Sequence, residues 1–196
     1  DGSGNYVFGL EESYGYLVET EVRDKDGISA AAMCAEMTLY SASKGKSLLE
    51  HLNDMYKEYG LFEDRAISKY FPGVQRPKIM GGIMTKLRTE GLTSLGGKKV
   101  VKIRDIQQQV AFDPANPSVK ESLPWPKSNV LQFVLEGGTI VSARPSGTEP
   151  KIKFYINSTV PVSAKTDEAL EEAKKAADKL CSDISEEINA VLNAAG

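Results

Sequence analysis

The sequence predicts a mixed chain in two parts, an α/β portion over residues 1–60 and an α+β domain over residues 61–196 whose antiparallel sheet is covered by helices. Three patterns predict it. Lys151 to Ile156 alternates, with Ile152, Phe154 and Ile156 on one face and Lys151, Lys153 and Tyr155 on the other, as in a half-buried strand. Residues 166–194 set Leu170, Ala173, Ala177, Leu180, Ile184, Ile188 and Val191 at helical spacing, one apolar stripe suited to covering a sheet face. Gly60 follows a helical pattern as a C′ residue, and the boundary between the two parts is placed there.

The elements follow in order. Asn5 to Leu10 reads as a short apolar strand that enters the Glu11–Tyr16 loop, and Tyr16 to Val22 reads as extended. Asp26-Gly27 opens a helix over about 28–43 with Ile28, Ala31, Ala35 and Leu39 on one side. A second helix spans about 46–59, with Leu48, Leu52, Met55 and Tyr59 at three- and four-residue spacing. Residues 61–71 form a strand. A helix then runs from Pro77 at N1 to about Glu90, stopped by Gly91, although Gly81-Gly82 inside it costs about 1 kcal/mol each against alanine. Lys99 to Ile106 is a strand, and residues 107–128, with Pro114, Pro117, Pro124 and Pro126, are irregular. Val130–Leu135 and Thr139–Ala143 make a hairpin across Gly137-Gly138. Thr166 caps the last helix, with Asp167 and Glu168 favoured by its dipole.

At 196 residues the chain can bury a substantial core, and 41% apolar with 26% charged residues is a globular composition. The net charge of −3 gives no support for nucleic-acid or membrane-surface binding. Any phosphate site must therefore be a local positive spot. Cys34 and Cys181 have no metal-like spacing and read as packing residues of a protein in a reduced cytoplasm. No run of 18 apolar residues and no signal peptide is present.

The most informative stretch is Arg144-Pro145-Ser146-Gly147-Thr148-Glu149-Pro150-Lys151, between two predicted strands. Arg144 offers two parallel charge-assisted hydrogen bonds, and Ser146 and Thr148 add hydroxyl donors. Gly147 lets backbone N–H groups turn toward an anion, while the two prolines stiffen the loop. These are the parts of a phosphate site. From composition alone, a Pro/Gly hairpin loop with a surface arginine accounts for the stretch as well. Upstream, Glu11 and Ser13 offer groups suited to sugar hydroxyls, or equally a charged turn after a strand.

Arg-Pro-Ser-Gly-Thr-Glu-Pro-Lys resembles the C-terminal phosphate-binding loop of the α-D-phosphohexomutases, the phosphoglucomutase and phosphomannomutase family. Gly9-Leu10-Glu11-Glu12-Ser13-Tyr14-Gly15-Tyr16, followed by Arg23-Asp24-Lys25-Asp26-Gly27, resembles that family's sugar-binding Glu-x-Ser loop and its Arg-x-Lys-Asp-Gly segment. The resemblance covers essentially the whole chain. It implies that residues 1–60 end the family's third, sugar-binding domain and that residues 61–196 are its fourth, phosphate-binding domain, with a fold like that of TATA-binding protein. Arg144, Ser146, Gly147 and Thr148 then hold the substrate phosphate, Glu11 and Ser13 the sugar, and Lys25 assists. The role of Glu12 stays open between sugar contact and a structural part, and Tyr14-Gly15-Tyr16 leans away from phosphomannomutase-type members toward phosphoglucomutase or phosphopentomutase.

The resemblance also implies an incomplete chain. The family's phosphoserine loop and Mg²⁺ loop are not in this sequence, so the chain itself has no catalytic or metal residue and is expected to be inactive. Mg²⁺ and a hexose 1,6-bisphosphate activator are implied for the intact enzyme only. The apolar face of Val7, Phe8, Ile28, Ala31 and Leu39 would meet upstream strands, and without them either a dimer through the N-terminal segment or a mobile N-terminal third is expected. Two other classes stay open: a stand-alone phosphosugar-binding or regulatory module, and a nucleic-acid binder. Net acidity and the absence of a basic, aromatic sheet face argue against the second.

Three decoys are set aside. Asp24-x-Asp26-Gly27 lacks the remaining ligands of a calcium loop. Gly45-Lys46-Ser47 lacks the first glycine of a Walker A loop, Tyr40 standing there. His51, the only histidine, reads as a solvated or packing residue with no Ser-His-Asp arrangement around it.

Overall fold

The computed structural model describes residues 5–11, 15–21, 24–74 and 76–194. The chain divides into two units, residues 1–55 and 56–196.

In the first unit β1 (Gly9–Glu11) and β2 (Gly15–Leu17) pair antiparallel, with Leu10 opposite Tyr16. The expected strand over residues 5–10 thus starts only at Gly9, and the extended stretch after Tyr16 leaves the ladder at Leu17. Helix α1 (Gly27–Ser43) begins where Asp26 accepts hydrogen bonds from Ile28 N at 2.9 Å and Ser29 N at 3.1 Å. Bonds from Ser29 and from the Ile28 backbone hold this carboxyl below the usual carboxylate range. Helix α2 (Leu48–Tyr59) follows, two residues later than the sequence suggests, because Ser47 and Glu50 form a capping box. Glu50 accepts from Ser47 N at 2.7 Å while Ser47 Oγ accepts from Glu50 N at 3.2 Å. The Gly-Lys-Ser tripeptide is therefore a helix start, with Lys46 paired to Asp54.

The stripe Ile28, Ala31, Ala35, Leu39 faces solvent, as expected of a face whose cover lies outside these residues: Ile28 is 84% and Leu39 71% exposed, and α1 buries only Ala30 and Ser41. One expectation for α1 is corrected: Cys34 is exposed, so it is no packing residue. His51 gains a partner that the sequence did not indicate, its Nδ1 lying 3.0 Å from Ser41 Oγ.

The second unit is one antiparallel sheet with helices on one side. Its strands are β3 (Leu61–Tyr70), β4 (Ser94–Leu95), β5 (Lys98–Asp105), β6 (Val110–Asp113), β7 (Asn116–Ser122), β8 (Leu131–Leu135), β9 (Ile140–Pro145) and β10 (Lys151–Val160). The spatial order is β3-β10-β9-β8-β5-β6-β7, with β4 paired to β5. Helices α3 (Arg76–Thr89) and α4 (Asp167–Asn193) supply Met80, Ile83, Met84, Leu87 and Cys181, Ile184, Ile188, Leu192 to a core with Phe133, Val141, Phe154 and Ile156. Near the other end of α4, Leu170, Ala173 and Ala177 pack with Leu61. Thr166 caps α4 as expected, accepting from Ala169 N at 3.2 Å. Four buried apolar side chains carry α3 through Gly81-Gly82, so packing overrides the local cost.

Residues 107–128 are not irregular as expected, since β6 and β7 lie within them. Prolines hide these strands from propensity reasoning. Pro117 sits in β7, the terminal strand of the order, where a missing N–H removes no bond from a central ladder. Asp105 bends the chain into β6 by accepting from Gln107 N and Gln108 N at 3.0 and 3.2 Å.

The two thiols should behave oppositely. Burial in the core raises the Cys181 thiol above its ordinary pKa, while Cys34 lies open on α1. At pH 8 iodoacetamide is expected to alkylate Cys34 and to spare Cys181 until urea unfolds the chain, as read by peptide mass spectrometry. Equal rates would mean that α4 leaves the sheet in the native state.

Candidate functional site

The octapeptide closes the β9–β10 hairpin, where Arg144 stands opposite Lys153 and Pro145 opposite Ile152. Local bonds and one from the end of β3 hold it. Ser146 N donates to Lys151 O at 2.9 Å, Lys151 N to Glu149 O at 2.8 Å, and Phe71 N to Pro150 O at 2.8 Å. Ser146 Oγ accepts from Glu149 N at 3.1 Å and, more weakly, from Thr148 N at 3.4 Å. The serine thus shapes the loop with its lone pairs and keeps its hydroxyl proton to donate. At Gly147 φ is outside the left-handed region and a Cβ would meet nothing within 4 Å, so the open space expected beside the backbone is there without a left-handed turn.

Lys151 braces the loop. Its ammonium lies 2.6 Å from Glu149 and 3.4 Å from the Tyr70 hydroxyl, and its side chain is only 12% exposed. The Glu149 hydrogen bond holds the lysine pKa above its usual value. The Arg144 guanidinium, by contrast, has no hydrogen bond or ion pair among the described residues. It lines a hollow of about 360 Å³ with Ser146, Gly147, Thr148, Lys153 and Tyr155. All four residues expected to hold phosphate therefore surround one space. Lys153 and Tyr155 were missed as members, although the alternation of β10 had already put them on the face that an antiparallel partner shares with Arg144.

In the first unit Glu11 ends β1 opposite Gly15. Lys25 Nζ lies 4.0 Å from Glu11 and 3.2 Å from Asp24, and the hydrogen bond to Asp24 raises its pKa most. Gly15 makes this meeting possible. A Cβ there would stand 2.3 Å from Lys25 Cδ and 2.5 Å from Glu11 Oε1. Ser13 and Glu12 lie outside the described residues.

The uncovered sheet face corrects one premise. It is both basic and aromatic: Lys151 stands 5.4 Å from the Tyr70 ring centroid, Lys153 5.6 Å from Tyr155, and Arg104 5.9 Å from Trp125.

Two family models match. Residues 2–59 match the phosphoglucomutase/phosphomannomutase alpha/beta/alpha domain III, and residues 85–175 match the phosphoglucomutase/phosphomannomutase C-terminal domain, together more than half of the chain. The chain belongs to the phosphoglucomutase/phosphomannomutase family. Among relatives of this family, a phosphoglucomutase from Staphylococcus epidermidis is 37% identical over 153 residues, covering 78% of this chain and 28% of the relative. One from Staphylococcus aureus is 34% identical over 165 residues, covering 82% and 29%. The chain thus spans less than a third of these relatives. The open-form crystal structure of the Paramecium phosphoprotein pp63/parafusin, a phosphoglucomutase, superposes with a TM-score of 0.51 at 17% identity, covering 94% of this chain and 29% of that one. This likeness is one of fold: the α/β part and the helix-covered antiparallel sheet match the expected class.

Proposed function

We propose that the chain is the substrate-reading half of a phosphoglucomutase-type enzyme, an isomerase that interconverts hexose 1-phosphate and hexose 6-phosphate. The observation that carries this reading is the hollow around Arg144, a guanidinium without an internal partner that faces two hydroxyl-bearing side chains and Lys153. Arg144 and Lys153 supply positive charge, Ser146 and Thr148 donate hydroxyl protons, and Gly147 leaves room for the anion. Lys151 and Glu149 keep the loop in shape. Glu11 and Ser13 take sugar hydroxyls and Lys25 orients Glu11, with residues 1–60 and 61–196 acting as the sugar and phosphate domains. Holding the phosphate away from the reacting atoms lowers the barrier by positioning.

In this reading the phosphoryl donor and the Mg²⁺ ion belong to other parts of the enzyme. Among the described residues no three His, Cys, Asp or Glu side chains converge as a metal site. No helix among them is long and apolar enough to cross a membrane, and the unpaired thiols suit a reducing cytoplasm.

Titrating the chain with glucose 1-phosphate while following amide resonances tests the site. A charge-assisted contact contributes about 1.5–3 kcal/mol, so Arg144→Ala should weaken binding roughly 10- to 150-fold. Binding unchanged in that variant would remove the loop from the substrate site.

A further inference from the structure

Four arginines have described side chains, and they fall into two classes. On the helix-covered side Arg65 lies 2.8 Å from Glu63 and Asp178, and Arg88 lies 3.0 Å from Asp105. Arg104 and Arg144 have no carboxylate partner among the described residues, and both belong to the uncovered face. Arg144 is accounted for by the phosphate loop. Arg104 is not, and its surroundings are built differently.

Arg104 projects from β5 beside the indole of Trp125, at 5.9 Å from the ring centroid. Trp125 is the only tryptophan and is 41% exposed. Its loop is pinned, because Gln109 Nε2 donates to Trp125 O at 2.7 Å and Leu123 N donates to Gln109 O at 2.8 Å. Pro124 and Pro126 flank the indole and stiffen the loop further. On the neighbouring strand Gln132 stands opposite Arg104. Its amide donates to Ser142 Oγ at 3.1 Å, which turns its oxygen toward Arg104 at 3.5 Å. Lys102, two residues away on β5, is already neutralised by Glu121 at 3.0 Å. A guanidinium free of carboxylate, an exposed flat ring held in place and an amide beside them form one set. The guanidinium takes a phosphate, the indole stacks on a planar base, and the amide both donates and accepts along a base edge.

We propose that Arg104 and Trp125, with Gln132, form a binding station for a nucleoside 5′-monophosphate, its phosphate on Arg104 and its base on the indole. The station is separate from the phosphate loop. Two strand spacings and two residues along β9 separate Arg104 from Arg144, roughly 12 Å between their Cα atoms. The proposal uses none of the residues assigned to the phosphosugar, so either reading stands without the other.

The single tryptophan makes the test direct. Adenosine 5′-monophosphate added to the chain should change the Trp125 emission saturably. Adenosine and inorganic phosphate should each bind at least tenfold more weakly, since each satisfies half of the set. Arg104→Met, which keeps the aliphatic stem over the indole, should weaken binding at least tenfold, and Arg144→Ala should leave it within twofold. Trp125→Leu, read by the broadening of the nucleotide's phosphorus resonance, should also lose at least tenfold, and it decides the matter if Arg104→Met does not fold. A response that does not saturate would overturn the proposal. So would inorganic phosphate matching the nucleotide, equal binding by the variants, or loss of the signal in Arg144→Ala.

Discussion

Asp105→Ala is expected to lower the stability of the second unit by about 3 kcal/mol, read as a fall in the urea midpoint at constant slope. Asp105 is 3% exposed at the end of β5 and serves three donors. Its Oδ2 accepts from Arg88 Nε at 3.0 Å, and its Oδ1 accepts from Gln107 N and Gln108 N at 3.0 and 3.2 Å. Removing the carboxylate leaves a guanidinium that is only 15% exposed and two turn amides without an acceptor. Breaking one side of a buried pair costs about 3–5 kcal/mol. The lower end applies because Arg88 keeps Asn129, 2.6 Å from Nη2. Asp105→Asn retains an oxygen for the turn and should cost less, about 1–2 kcal/mol. The exposed pair Lys179–Asp183 is the contrast, and its loss should leave the urea midpoint essentially unchanged. A loss below about 1 kcal/mol for Asp105→Ala would mean that water reaches the pair as it reaches a surface one.

The core of the second unit was legible because its elements bury one face each. Period two in residues 151–156 and the stripe on 166–194 are signals of burial, and the structure buries Ile152, Phe154, Ile156, Leu170, Ile184 and Ile188. The same logic marks a face on α1 that stays uncovered, since Ile28, Ala31, Ala35 and Leu39 have helical spacing and face solvent. Apolar spacing states which face seeks cover and is silent on whether these residues supply it. β6 and β7 escaped for another reason. An edge strand that is exposed throughout, as β7 is, leaves no alternation to read, and its proline argues against a strand unless the edge position is known.

The Arg144–Lys151 loop was legible as a motif but not as a mechanism of folding. Arg144, Ser146, Gly147 and Thr148 are contiguous, so the sequence brings them together before any folding occurs. Lys153 joins them only through the register of β9 with β10, and Lys151 reaches Tyr70 only because β3 pairs with β10. The Arg104–Trp125–Gln132 group is further removed, since its members come from β5, a loop and β8. Composition had suggested no basic, aromatic face because the lysines, arginines and tyrosines involved are scattered over nearly a hundred residues and meet only in the sheet.

Gly96→Ala should be the most damaging glycine substitution among the described residues, and a comparison with Gly97→Ala separates its causes. The two glycines form the turn between β4 and β5, with φ of +55° and +70°, a pair of positive values that matches a type I′ hairpin. Each alanine therefore meets the same left-handed backbone and costs about 1–2 kcal/mol on that account. Only Gly96 has a neighbour in the way. Its added Cβ would lie 2.7 Å from Ile184 Cγ1 and 3.0 Å from Leu180 Cδ1, whereas at Gly97 nothing lies within 4 Å. Ile184 is fully buried on α4, so it cannot swing clear as an exposed chain would. Glu187 adds a tether by accepting from Gly96 N at 3.1 Å. The close approach of turn and helix should add about 1–3 kcal/mol of overpacking to the Gly96 variant alone. Thermal or urea unfolding of the two variants gives the difference directly. Equal losses would mean that the turn moves away from α4 at no cost, and that Gly96 is required by its backbone alone.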